Sequence, residues 1–205
     1  MTDPLLIDLL RHGEVTGGAR FNGKSDPPLT EAGWKTMERA AALSDKADGL
    51  LSSPLERCSV FAQWWGKKNG IPVVLDAAWR EYDFGLWDGR TSAEVMAMDP
   101  LGLAAFWDDP TLHPPPGGEP MDLFAERISG CLHSLTTSSS PEFPAPEHLL
   151  VITHGGVMRQ LAALALGRSF RDIWSLNLPP GACVRLVLDR GDEPVSSRSL
   201  FLGVR

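Results

Sequence analysis

Arg11-His12-Gly13 ends a run, Leu5 to Leu10, that is apolar except at Asp8. A histidine at the mouth of a buried strand offers a ring nitrogen to an electrophile. The arginine beside it binds an anion bidentately, and the glycine lets backbone N–H groups approach that anion. Phosphoryl transfer needs all three. His154-Gly155-Gly156 repeats the pattern after a second apolar run, His148 to Thr153, while Arg57 and Glu81 add a cation and a carboxyl from elsewhere. Ligands of open α/β sheets bind beyond the carboxyl ends of strands, where His12, the Ser53–Arg57 turn and His154 would meet. Arg11, Arg57 and His154, with N–H groups at helix starts such as Gly155, would hold a phosphate and the charge developing on its oxygens. His12 would take the phosphoryl group in line, water would release it, and Glu81 would protonate the leaving alkoxide.

Other chemistries are open to the same residues. Glu14 is a second candidate proton donor. His12, His154, Glu81 and Asp83 could in principle form a zinc site, but their spacings match no ligand pair and two neighbouring arginines would repel a cation. No metal and no cofactor is therefore expected. Cys58 lies next to Arg57, yet no histidine base flanks it and no Cys-x5-Arg loop follows. His113, His133 and His148 read as solvent or helix-face residues. The tryptophans read as packing, with Trp87 or Trp107 placed to stack on an aromatic substrate.

The elements that must position these groups can be read from periodicity and punctuation. Leu5–Leu10 is apolar as strands covered on both faces are. Thr30 reads as a helix N-cap ahead of Trp34, Met37 and Ala41. Leu50 and Leu51 end a second strand. Ser53-Pro54-Leu55-Glu56 has the form of a capping box that sets Arg57 in a first helical turn. Gly70 and Pro72 close that helix, and Val73–Leu75 is a third strand. From Ala78 to about Pro146 prolines and glycines cluster around short helical patterns, with a longer helix from about Met121 to Leu135 and a mobile loop from Ser138 to Pro146. His148–Thr153, a helix from Val157 to Leu166 and a late strand, Val184–Leu188, complete the order. The expectation is an α/β three-layer sandwich, a mostly parallel central sheet flanked by helices. Residues 1–205 form one domain, with 78–146 as a cap-like lobe over the strand ends.

With 205 residues, 43% of them apolar, the chain can bury a core of single-domain size. A net charge of −7 and a pI near 5.2 argue against nucleic acid or anionic membrane as partners. An anionic ligand must be held by local arginines. Cys58, Cys131 and Cys183 are far apart, as thiols of a reducing compartment are. The N-terminus has no basic region and Asp8 interrupts its apolar run, so neither a signal peptide nor a span is expected. These features point to a cytoplasmic protein acting on a small molecule, and a homodimer is compatible with them.

The chain resembles the histidine phosphatases, the phosphoglycerate mutase-like superfamily, over most of its length. Leu10-Arg11-His12-Gly13-Glu14, Pro28-Leu29-Thr30, Ser52-Ser53-Pro54-Leu55-Glu56-Arg57, Glu81 through Gly89, and Thr153-His154-Gly155-Gly156 stand in family order and approximate spacing. By that resemblance His12 is the phosphorylated nucleophile, Arg11, Arg57 and His154 form the phosphate pocket, and Glu81 is the proton donor. Many members carry Trp-Asn shortly after the first motif. This chain has Gly17-Gly18 there, which leaves Arg20 or Asn22 to replace the asparagine. Gly17–Gly23 and Pro114–Pro120 look closest to the alpha-ribazole phosphatase-like branch, which implies alpha-ribazole 5′-phosphate as substrate in cobalamin biosynthesis. A phosphoglycerate mutase-type phosphotransferase and a weakly active phospho-ligand-binding module are the alternatives.

Overall fold

Alternation along the first strand shows which layer each side chain serves. In the computed structural model, which describes residues 4–137, 146–188 and 200–201, β1 (Leu5–Arg11) sends Leu5, Ile7 and Leu9 into one core cluster and Leu10 into another. Successive strand side chains point to opposite faces, so this sheet carries a core on each side. β1 pairs in parallel with β4 (His148–Thr153) and antiparallel with β5 (Cys183–Leu188). β2 (Gly49–Ser52) lies between β4 and β3 (Val73–Leu75), parallel to both, and the two-residue β6 (Leu200–Phe201) pairs with β5. The order is β3-β2-β4-β1-β5-β6, the mostly parallel α/β sheet expected.

Helices cover both faces. α1 (Glu31–Ala41) and α2 (Glu56–Asn69) bring Met37, Ala41, Phe61 and Trp65 onto Leu10, Leu50, Leu150 and Ile152. On the other face α5 (Met121–Thr137) and α6 (Gly155–Leu166) contribute Phe124, Ile128, Val157 and Leu161. Between β3 and α5 the chain makes two short 3-10 turns, Ala77–Trp79 and Gly85–Trp87. The helices α3 (Ser92–Met98) and α4 (Pro100–Asp108) follow, capped by Thr91 and Asp99. α7 (Phe170–Ile173) comes after α6. Of the loop read from Ser138 to Pro146, all but Pro146 lies outside the described residues. No helix among the described residues is long and apolar enough to cross a membrane.

Two local expectations fail for long-range reasons. Thr30 does cap α1, its side chain accepting from Gly33 N. The Ser53 box does not form. α2 begins at Glu56, and its first N–H groups, on Glu56 and Arg57, donate to the Asp26 carboxylate from a distant loop. Ser53 Oγ instead lies 2.8 Å from His154 Nε2. His148 is not a surface residue either. It is buried in β4, with Nε2 2.7 Å from Asp8 Oδ2. Arg185 donates to both Asp8 oxygens at 2.7 Å, and Ser44 donates at 2.6 Å. Burial alone would raise the Asp8 carboxyl, but these donors outweigh it and hold it well below its ordinary range.

Candidate active site

Because β1 and β4 are parallel and in register, with Arg11 opposite Thr153, both His-Gly pairs emerge at the same sheet end. His12 N donates to Thr153 O at 2.9 Å, and the His12 and His154 rings meet edge to face with centroids 5.2 Å apart. Thr153 Oγ1 donates to Trp79 O, which ties the chain just before Glu81 to the same place. The Glu81 carboxylate then accepts from Gly156 N at 3.2 Å and Tyr82 N at 3.0 Å. A side chain on Gly156 would put its Cβ 2.5 Å from Glu81 Oε1, so that glycine makes room for the carboxylate. Gly13 lines the cavity and also has a packing task. A Cβ there would sit 2.2 Å from Gly33 O, so its absence lets the loop after β1 pack directly on the first turn of α1.

His12 Nδ1 lies 2.8 Å from Gly13 O, and since a carbonyl only accepts, Nδ1 carries the proton. Nε2 keeps the lone pair. Burial, then the Arg57 and Arg11 guanidiniums, push the His12 pKa down to about 3, which leaves the imidazole neutral at ordinary pH. His154 is also pushed well down, by burial first and then by Arg57 and His12. Cys58 Sγ sits 3.7 Å from His154 Nε2, but burial pushes its thiol up and it is inert as a nucleophile.

A cavity of about 410 Å³ opens over this strand end. Arg11, His12, Glu81, Gly155, Arg20 and Asn22 all line it, as does Glu14, whose Oε2 accepts from Thr30 Oγ1 at 3.2 Å. Three of the expected residues do not. His154 is wholly buried behind His12. Arg57 is wholly buried too. Its Nη1 donates to Ser25 O and Asp26, and its Nη2 donates to Asn22 O and Gly23 O. That loop is itself held by Asp88, which accepts from the N–H groups of Gly23, Lys24 and Ser25. Trp87 is only 1% exposed and packs against Phe21 and Phe106. It belongs to the core and cannot stack on a substrate. Trp107 is exposed and outside the cavity lining. The aromatic wall is formed instead by Phe21, Phe84, Phe106, Phe170 and Trp174.

Arg20 partly fills the space left by Gly17-Gly18, both at positive φ, with Nε donating to Gly17 O at 3.0 Å and Nη1 to Gly89 O at 2.9 Å. Asp83 does not join His12. It pairs with Lys24 at 2.7 Å on the wall of a neighbouring cavity. Among the described residues no three His, Cys, Asp or Glu side chains gather as metal ligands.

Arg159 was not singled out by sequence. It stands one helical turn beyond Gly155 and lines the cavity with Arg11. A Cβ on Gly155 would lie 3.1 Å from Arg159 Nη1 and 3.4 Å from Arg11 Cζ, so the glycine lets two guanidiniums crowd the same backbone. Neither has a carboxylate within ion-pair distance among the described residues. The signal that could have found Arg159 is its i+4 spacing from Gly155, which puts both on one helix face.

Known proteins resemble this chain in sequence and fold. A family model described as the histidine phosphatase superfamily (branch 1) matches residues 7–199. The glucosyl-3-phosphoglycerate phosphatase of Mycolicibacterium vanbaalenii is 34% identical over 165 residues, 78% of this chain and 73% of that protein. The adenosylcobalamin/alpha-ribazole phosphatase of Escherichia coli is 27% identical over 177 residues, 84% of this chain and 85% of that one. A bifunctional protein of Mycobacterium tuberculosis is 31% identical over 180 residues, and the chain spans only 48% of its length. Among solved structures, native mycobacterial glucosyl-3-phosphoglycerate phosphatase superposes with a TM-score of 0.82 at 27% identity, covering 98% of each chain.

Proposed function

The chain belongs to the histidine phosphatase superfamily, branch 1, and on that premise we propose that it hydrolyses small phosphate monoesters through a phosphohistidine at His12. One observation carries the reading: a neutral imidazole, its Nδ1 tied to Gly13 O, faces a cavity lined by the Arg11 guanidinium, which has no carboxylate partner among the described residues. The Nε2 lone pair attacks phosphorus and the ester P–O bond breaks. Arg11 balances charge on the phosphoryl oxygens, with Arg57 and His154 acting from behind. Glu81, aimed by two backbone N–H groups, gives its proton to the leaving oxygen. Water then attacks phosphorus, the P–N bond breaks, and the Glu81 carboxylate takes the water's proton. No step needs a metal. Of the expected cap, Glu81, Tyr82, Phe84 and Phe106 line the cavity, whereas α5 packs on the sheet face with α6. The three buried free thiols support a cytoplasmic setting.

For the leaving group, alpha-ribazole 5′-phosphate is supported by the aromatic wall, which suits a flat base, although Trp87 no longer contributes. A phosphorylated sugar acid is supported by the 34% identical relative. Turnover of p-nitrophenyl phosphate, both candidate esters and 3-phosphoglycerate is the test, with acid-free quenching to trap label on the protein. We expect an acid-labile phosphoenzyme that is lost with turnover in His12→Ala, activity that survives exhaustive EDTA, and no 2-to-3 phosphoryl shift. Label persisting in His12→Ala would overturn the nucleophile. A phosphoryl shift would favour the mutase, and absent turnover the binding module.

A further inference from the structure

Arg159 is a half-buried cation that the proposed chemistry leaves unused. Its guanidinium carbon lies 5.4 Å from the Trp174 ring centroid, on the aromatic side of the cavity. Among the described residues no hydrogen-bond acceptor holds it, and its Nε is buried without a partner there. The Arg11 guanidinium crowds it across Gly155. Like charges repel in such a place, so an arrangement of two arginines with only Glu81 nearby is stable in use only if anions enter. The scissile phosphate already has Arg11 and the strand-end groups, whereas the Arg159 guanidinium, reaching back over Gly155 beside Arg11, lies on the Trp174 side of the cavity.

We propose that Arg159, seated on Trp174, is a specificity-determining residue that binds a second anionic group, a carboxylate, on the leaving alcohol. This rests on the hydrolase reading above. A carboxylate matches a single planar guanidinium bidentately, while a second phosphate dianion would call for more than one cation. Arg20 is less suited, because Gly17 O, Gly89 O and the Glu94 carboxylate already hold it through Nε and Nη1. An ester whose leaving group is neutral would instead bury Arg159 unpaired and bind less well.

The test uses two aryl esters of nearly equal shape, 4-carboxyphenyl phosphate and 4-carbamoylphenyl phosphate. A phenolate leaves with little help, so Glu81 does not bias the comparison. The wild type should favour the carboxylate by roughly 10-fold or more in kcat/KM, and Arg159→Met should bring that ratio close to one. Arg159→Lys should keep part of it, and serves also if the methionine variant fails to fold. Equal rates on both esters in the wild type, or equal losses on both in Arg159→Met, would overturn the proposal and make Arg159 a ligand of the scissile phosphate. Calorimetric Kd values for the same two esters separate the two claims. Without turnover the hydrolase reading fails, and the Kd ratio still decides for or against Arg159.

Discussion

Glu81 and Gly156 are 75 residues apart, yet the carboxylate occupies the space a Gly156 side chain would fill. Gly156→Ala should therefore push the carboxylate aside while leaving His12 in place. The expected signature is a loss of about 10²–10⁴-fold on alkyl esters with a much smaller loss on p-nitrophenyl phosphate, the pattern also expected of Glu81→Gln. Parallel kinetics on the two ester types check it, and equal losses would turn attention to Glu14. Residue placements that follow from type and immediate neighbours were readable in the chain: His12 at a strand end, Arg11 beside it, and Glu81 brought to the same cavity from elsewhere. Arg159 was missed because its i+4 spacing from Gly155 marks only a shared helix face, while its meaning depends on the lack of a partner among the described residues. Trp87 was misassigned because an aromatic side chain looks the same in sequence whether it lines a cavity or a core.

At the scale of elements, apolar runs located the strands well because central strands are buried on both faces. The helix starts were harder. Thr30 caps its own helix, a local matter, but α2 takes its cap from Asp26, thirty positions upstream. Asp26 also pairs with Arg57 Nη1 at 3.1 Å, so helix and guanidinium depend on one carboxylate. Thr30→Ala should cost about 1 kcal/mol of stability, the usual worth of a cap, and Asp26→Ala more, since it also leaves buried Arg57 without its carboxylate. Only Asp26→Ala should also lower kcat/KM on every ester, since it alone frees Arg57. Urea unfolding with steady-state kinetics on both variants checks this. Gly13→Ala is the harsher change. Its Cβ would meet backbone rather than a movable side chain, and about 1–3 kcal/mol of destabilisation is expected from the overpacking.

For the whole molecule, the buried histidines couple stability to pH. His12 binds its proton at about pH 3 when folded and near 6.5 when unfolded. Between these values the unfolded chain holds a proton that the folded chain lacks, so stability is full above about pH 6.5 and falls as the pH drops towards 3. The slope for one such group is at most about 1.4 kcal/mol per pH unit. His154 shifts the same way and steepens the same window. Urea midpoints should thus fall from about pH 7 to 5, and His12→Asn should fall less steeply. A second consequence concerns synthesis. β1 precedes its neighbours β4 and β5 in the chain, and Asp8 finds a hydrogen-bond partner in His148, 140 residues later, and an ion-pair partner in Arg185, 177 residues later. A nascent chain emerging from the ribosome therefore carries an apolar strand whose carboxylate has only Ser44 as a partner until nearly all of the domain has been translated. Such long-range closure is slow, on the order of milliseconds to seconds. In the cell the first strand needs shielding from its neighbours for the many seconds that translation takes.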